Sequence, residues 1–115
     1  MKQEKDIINE ILLRASERGH RLFRSNTGRG WVGKATKRRD GAMVISDPRP
    51  LIAGLCVGAP DVQGFTNAGR WVGFEVKTPG VRTTPEQKAF IAAAASCGCI
   101  AAVVYSADEA MALLP

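Results

Sequence analysis

Gly58-Ala59-Pro60-Asp61-Val62-Gln63-Gly64-Phe65 leads through Thr66-Asn67-Ala68-Gly69-Arg70 into Trp71-Val72-Gly73-Phe74-Glu75-Val76-Lys77, and Thr78-Pro79-Gly80 closes the run. The Asn and Gly of the middle segment favour a turn, and the strand-like runs on either side of it predict a β-hairpin. Side chains alternate along a strand, so Val72, Phe74 and Val76 point one way while Trp71, Gly73, Glu75 and Lys77 point the other. A five-residue loop over 66–70 pairs Phe65 with Trp71 and, in the same register, Asp61 with Glu75. Directly opposed residues have Cβ atoms about 5 Å apart. Two carboxylates at that spacing repel unless a cation lies between them or one is protonated. Oxygen-only ligands suit Mg²⁺ or Mn²⁺, and Mg²⁺ takes one or two carboxylates while keeping several waters for the substrate. Lys77, two residues further along the same face, stands beside that metal, where an ammonium holds an attacking water or neutralises charge growing on a phosphate. Taken singly, Asp61 also reads as a turn residue after proline, and Glu75 and Lys77 as exposed strand charges. The ordered set is what points to chemistry.

Outward from the hairpin, Ile7, Ile8, Ile11, Leu12 and Ala15 recur at helical spacing and predict an amphipathic helix over 4–18, ended by Gly19. Glu4 falls on the apolar stripe of that helix, at its inner edge, although a first-turn carboxylate also compensates the helix dipole. His20 to Arg24 reads as a short strand, and the Gly- and Arg-rich stretch from Ser25 to Asp40 as an exposed loop or hairpin. Ala42–Ser46 and Leu51–Val57 are expected as further strands or a short helix, separated by a Pro48-Arg49-Pro50 breaker. Thr84-Pro85-Glu86-Gln87 starts a helix that runs to about Ser96, with Thr as N-cap, Pro at the first position and Gln where a capping box needs it. Gly98 ends it, Ile100–Tyr105 follows as a buried strand, and Ser106-x-x-Glu109 opens a short C-terminal helix. The stretch Ala89–Ala107 carries no charge over 19 residues, near the roughly 18-residue threshold of a membrane span. It is interrupted by Ser96-Cys97-Gly98-Cys99 and turns from alanine-rich to Val-Val-Tyr, so helix, turn and strand are expected there and no membrane partner.

The chain has 115 residues, 45% hydrophobic and 23% charged, which is an ordinary globular composition. At this size folding hides about 65% of the unfolded chain's surface, so one domain over 1–115 is expected, without disulfide or zinc staples. Cys56, Cys97 and Cys99 form no C-x-x-C pair and His20 is the single histidine, so no Cys/His zinc quartet is available. An odd cysteine count reads as reduced thiols in a cytoplasmic protein, and the charged start Met1-Lys2-Gln3-Glu4-Lys5-Asp6 does not read as a secretory signal. Formal net charge is +5, yet Arg14 to Arg49 holds ten basic residues against three acidic ones, a net +7 that leaves the rest at −2. Segregation of this kind is the footprint of a polyanion partner, and a solvated basic face is its bland alternative.

Pro60-Asp61 followed by Glu75-Val76-Lys77 resembles the PD-(D/E)xK nuclease motif, and its context resembles the virus-type replication-repair nuclease (VRR-NUC) domain. The likeness includes the helical Glu4, an Arg-x-Asn-x-Gly-like segment (Arg24-Ser25-Asn26-Thr27-Gly28), the Gly58-x-Pro60-Asp61 turn, and Gln87 in the following helix. It runs from Glu4 to about Tyr105. Ala59 departs from the Ser or Thr associated with this turn, at a position that supplies packing. The resemblance implies an α/β fold, a central mixed β-sheet flanked by α-helices with a restriction-endonuclease-like core. It implies Asp61 and Glu75 as metal ligands with the Val76 carbonyl as a further one, Lys77 as the residue that orients water, and Glu4 and Gln87 as supporting groups. For Gln87 the capping box remains an alternative role. Arg24 and Arg29 are expected on phosphates, and Lys34, Lys37, Arg38 and Arg39 of the basic stretch on DNA.

The expected activity is therefore Mg²⁺- or Mn²⁺-dependent hydrolysis of DNA phosphodiester bonds. Stand-alone members of the family resemble phage-type proteins acting on branched DNA such as Holliday junctions, and cutting two symmetric strands favours a homodimer. Three rival readings stay open: a basic DNA-binding protein without catalysis, a sequence-specific restriction-type endonuclease on the same motif, and a small protein whose basic face meets an acidic partner.

Overall fold

A computed structural model describes residues 2–25 and 28–115, with positions 28, 29 and 53 described by their backbone alone. The elements in chain order are α1 (Glu4–Glu17), β1 (Arg21–Arg24), β2 (Gly28–Lys37), β3 (Met43–Ala53), β4 (Val62–Phe65), β5 (Trp71–Val76), α2 (Pro85–Ser96), β6 (Ile100–Val104) and α3 (Ala107–Leu113). The fold is mixed α/β. Two compact units make it up, one of residues 1–25 and 56–115 and one of residues 26–55.

In the larger unit the sheet order is β1-β4-β5-β6, antiparallel except for the parallel pair β5 and β6. A parallel neighbour needs a crossover, and α2 provides it. The predicted hairpin forms in the expected register, with Val62 opposite Phe74 and Phe65 opposite Trp71. Its apolar side (Val72, Phe74 and Val76) packs with Ile7, Ile8, Ile11 and Ala15 of α1 and with Ala107, Ala110 and Met111 of α3. Helix α2 covers β5 and β6 from the side that carries Glu75.

Both predicted glycine stops operate. Gly19 and Gly98 take left-handed φ values of 87° and 88°. Each is followed by an N–H that reaches back to the third-last helical carbonyl, His20 to Ala15 and Cys99 to Ala94, the hydrogen-bond pattern of a Schellman motif. Thr84 caps α2 and Ser106 caps α3 by accepting from the N–H of Gln87 and Glu109.

The smaller unit is a two-stranded antiparallel ribbon of β2 and β3. Here the expectation of a break at Pro48-Arg49-Pro50 is corrected, because β3 runs unbroken through both prolines. In a two-stranded ribbon each strand has a free edge, where a missing N–H costs no ladder bond. The register slips by one between Val32 and Lys34, which places Asp47, at φ 51°, and Pro48 against Gly33 as a bulge. Gly33 is required there, since a Cβ would collide with the Ser46 carbonyl and the Ile45 side chain. Beyond Ala53 the chain turns, so the strand or helix expected up to Val57 stops short.

Candidate active site

Glu75 is 2% exposed, an unusual position for a strand carboxylate. The strand β5 puts it there by alternation, between the core residues Phe74 and Val76 but facing the other way. Extending the β4–β5 register by one residue sets Asp61 directly opposite it. Thr66 donates its N–H to the Arg70 carbonyl at 2.8 Å, so Phe65/Trp71, Gln63/Gly73 and Asp61/Glu75 are the non-hydrogen-bonded pairs, whose side chains lie closest.

Pro60 explains why the ladder stops at this point. It stands opposite Val76 in the same register and has no N–H to offer, and Val76 instead donates its own N–H to Asp61 Oδ2 at 3.0 Å. A residue's N–H and C=O point to the same neighbour in an antiparallel ladder, so the Val76 carbonyl emerges on the Asp61 side. The turn before Pro60 is held by Gly58, whose φ of 87° and close approach to the Glu86 backbone exclude any side chain. That approach ties the Asp61 turn to the first turn of α2.

Gln87 makes two contacts with its amide. Its Oε1 accepts from the Thr84 N–H at 2.9 Å, completing the capping box, while its Nε2 donates to Glu75 Oε1 at 2.8 Å. The same Glu75 oxygen lies 3.4 Å from Lys77 Nζ, whose side chain is 13% exposed. The other oxygen, Oε2, is buried and has no hydrogen-bond partner among the described residues. Burial above all, and then the negative charge of Asp61, push the Glu75 carboxyl up to about 7 against the opposing pull of Lys77. Glu75 therefore takes up a proton near neutral pH, and its Oε2 is placed to meet another ligand. Trp71 folds back over Gly73, where any Cβ would meet its ring, and packs on Phe90 of α2 with ring centroids 6.2 Å apart. These rings wall the site on one side.

The donor set that this assembles is two carboxylates and a main-chain carbonyl, all oxygen, which suits a hard divalent cation. Among the described residues no third Asp, Glu, His or Cys joins them. Glu4 lies partly buried in the first turn of α1. Among the described residues no hydrogen bond or ion pair links it to Asp61, Glu75 or Lys77.

Arg24 stands opposite Val62 in the β1–β4 pairing, which places it on the sheet face away from Glu75. Asn26 and Thr27 of the Arg-x-Asn-x-Gly-like segment lie outside the described residues, as does the side chain of Arg29. Lys34, Lys37, Arg38 and Arg39 are exposed on the ribbon or its turn, and Arg38 pairs with Asp40 at 3.0 Å. One residue of the site carries no signal in the sequence. Ser25 donates its N–H to the Asp61 carbonyl at 2.6 Å, and its Oγ is buried without a partner among the described residues. Only the pairing of β1 with β4, some 40 residues apart in sequence, brings it there, and no local pattern encodes that pairing.

No helix among the described residues is long and apolar enough to cross a membrane. No curated protein matches the chain. The family model of the VRR-NUC domain matches residues 4–108, across both units. With Pro60-Asp61 and Glu75-Val76-Lys77 gathered at one end of the two central strands and nearly the whole length matched, the chain belongs to the VRR-NUC family and has a nuclease-type function.

Proposed function

We propose that the protein is a Mg²⁺- or Mn²⁺-dependent DNA endonuclease that selects branched DNA such as four-way junctions and acts as a homodimer. The observation that carries the metal is Glu75: a buried carboxylate beside Asp61, with one oxygen unpartnered among the described residues and its acidity suppressed by burial and the neighbouring charge. Such a pair is stable in its ionised form only with a cation. Asp61, Glu75 and the Val76 carbonyl would hold it, and when bound it polarises the scissile phosphate and acidifies the attacking water.

The chain's own residues do the rest. Gln87 fixes one Glu75 oxygen, leaving the other free for the cation. Lys77, anchored on Glu75, presents an ammonium that holds the water or neutralises charge growing on the phosphate. The Val76 N–H holds Asp61 in place. Glu4 stands as a supporting group on the strength of family resemblance alone, and so do the junction preference and the dimer.

The test compares wild type with Lys77→Ala on labelled four-way junction, flap and linear duplex, with Mg²⁺, Mn²⁺ or chelator. Metal-dependent cutting that the variant loses supports the reading, and equal cutting of junction and duplex removes the branched preference. Discrete bands from linear duplex favour a restriction-type enzyme. A second reading rests on the ribbon, whose 30 residues carry Arg29, Lys34, Lys37, Arg38, Arg39 and Arg49 against Asp40 and Asp47. If DNA is bound and never cut under any metal, that charge serves a binding protein without catalysis.

A further inference from the structure

The carboxylate pair belongs to a longer row. Arg24 opposes Val62 and Val62 opposes Phe74, so one residue further on Ser25, Asp61 and Glu75 lie side by side across β1, β4 and β5. Two residues back on the same face come Phe23, Gln63 and Gly73, and two further back Arg21, Phe65 and Trp71. Helix α2 packs over the β5 and β6 part of this face, where it covers Trp71. On the β1 and β4 part Phe23 is 49% and Phe65 52% exposed. The opposite face of the same two strands carries Leu22 and Val62, both in the core.

We propose that Phe23 and Phe65 form a stacking shelf for unpaired DNA bases next to the scissile phosphate, an inference that rests on the nuclease reading and names the form of its substrate. An aromatic face takes any base by stacking. Gln63, directly opposite Phe23 and two residues from Phe65, has an amide suited to base edges, and Arg21, directly opposite Phe65, has a guanidinium suited to phosphate. No acidic side chain lies among these residues; the carboxylates begin one row on, at Asp61.

Bases inside a duplex are already stacked on each other, so the shelf serves nucleotides splayed out at a crossing, flap or gap. A second copy of the chain is the poorer occupant. Two half-exposed phenylalanines offer about 200 Å², against about 600 Å² per partner for even a small specific interface.

The test measures binding of the full chain, in chelator, to a 15-nucleotide oligo(dT) and to a 15-base-pair duplex by fluorescence anisotropy. Phe23→Ala/Phe65→Ala is expected to weaken single-strand binding about 10-fold or more, while duplex binding shifts less than about twofold and Phe23→Tyr/Phe65→Tyr keeps wild-type affinity. Equal losses on both substrates, no loss on the single strand, or no single-strand binding by wild type overturn the shelf. So does a fall in molecular mass by light scattering that tracks the lost affinity, because the rings would then be a subunit contact. Because the assay runs without metal, failure to cleave sinks the nuclease reading separately and leaves the stacking result to stand.

Discussion

Two antiparallel pairings of the chain, β4–β5 and β2–β3, are built on opposite terms. The β4–β5 hairpin is covered on one face by α1 and α3, and its β5 strand is covered on the other by α2, so its register is pinned by the burial of Val62, Val72, Phe74 and Val76. A slip of one residue would turn that whole set outward. The β2–β3 ribbon buries little: Trp31 is 62% and Ile52 67% exposed. Its register depends on the bulge at Gly33 instead. Only the first environment can force Asp61 and Glu75 together without water to screen them. Only the second can display Lys34, Lys37, Arg38, Arg39 and Arg49 at small cost, since each keeps its hydration. Buried like charges are thus a place for chemistry, whereas solvated like charges are a place for a polyanion.

If that division holds, each region should fail alone. Lys77→Ala or Asp61→Asn is expected to lower cleavage by about 10²-fold or more with DNA affinity in chelator within about twofold of wild type; a matching loss of affinity would merge the two roles.

The next effect is on stability and pH. A carboxyl held at about 7 when folded, against an ordinary 4.5, favours the folded state while protonated. That contribution is full below about pH 4.5 and is lost as pH rises through 7, by up to about 3 kcal/mol in the metal-free protein. Urea unfolding at pH 5 and pH 8 measures it. Glu75→Gln, which mimics the protonated form, should erase most of the difference. Adding Mg²⁺ or Mn²⁺ at pH 8 should restore stability to wild type and not to the variant. Since binding the cation expels the Glu75 proton, metal affinity read by calorimetry should climb about tenfold per pH unit up to 7 and then level off.

A smaller change tests the link between helix and site. Thr84→Ala removes the cap of α2 and should cost about 1 kcal/mol. If Gln87 then lets go of Glu75, the pH-dependence of stability will shift with it; an unchanged profile would make cap and site independent.

The least expected effect on chemistry belongs to the ribbon. Arg38→Ala/Arg39→Ala should flatten the slope of log affinity against log salt by about 0.9 for each phosphate that the ribbon no longer neutralises, with kcat unchanged. A drop in kcat would show the ribbon taking part in the reaction.

Much of this is legible in the residues alone. Gly19, Gly98, Thr84 and Ser106 mark helix ends through φ preference and capping, which act within a turn. The five-residue loop and the apolar alternation set the hairpin register, and with it the facing of Asp61 and Glu75. All of these are encoded by residues close in sequence, where local sterics and hydrogen bonding decide. What only the tertiary structure decided depends on segments far apart in the chain. Burial of Glu75 needs α2 laid across β5, the double use of Gln87 needs its amide between its own cap and another strand, and Ser25 reaches Asp61 only because β1 pairs with β4. The unbroken path of β3 through Pro48 and Pro50 is of the same kind, for a proline stops a strand only where a neighbour needs its N–H. Local chemistry proposes the elements, and the desolvation that makes a carboxylate reactive comes from what is packed upon it.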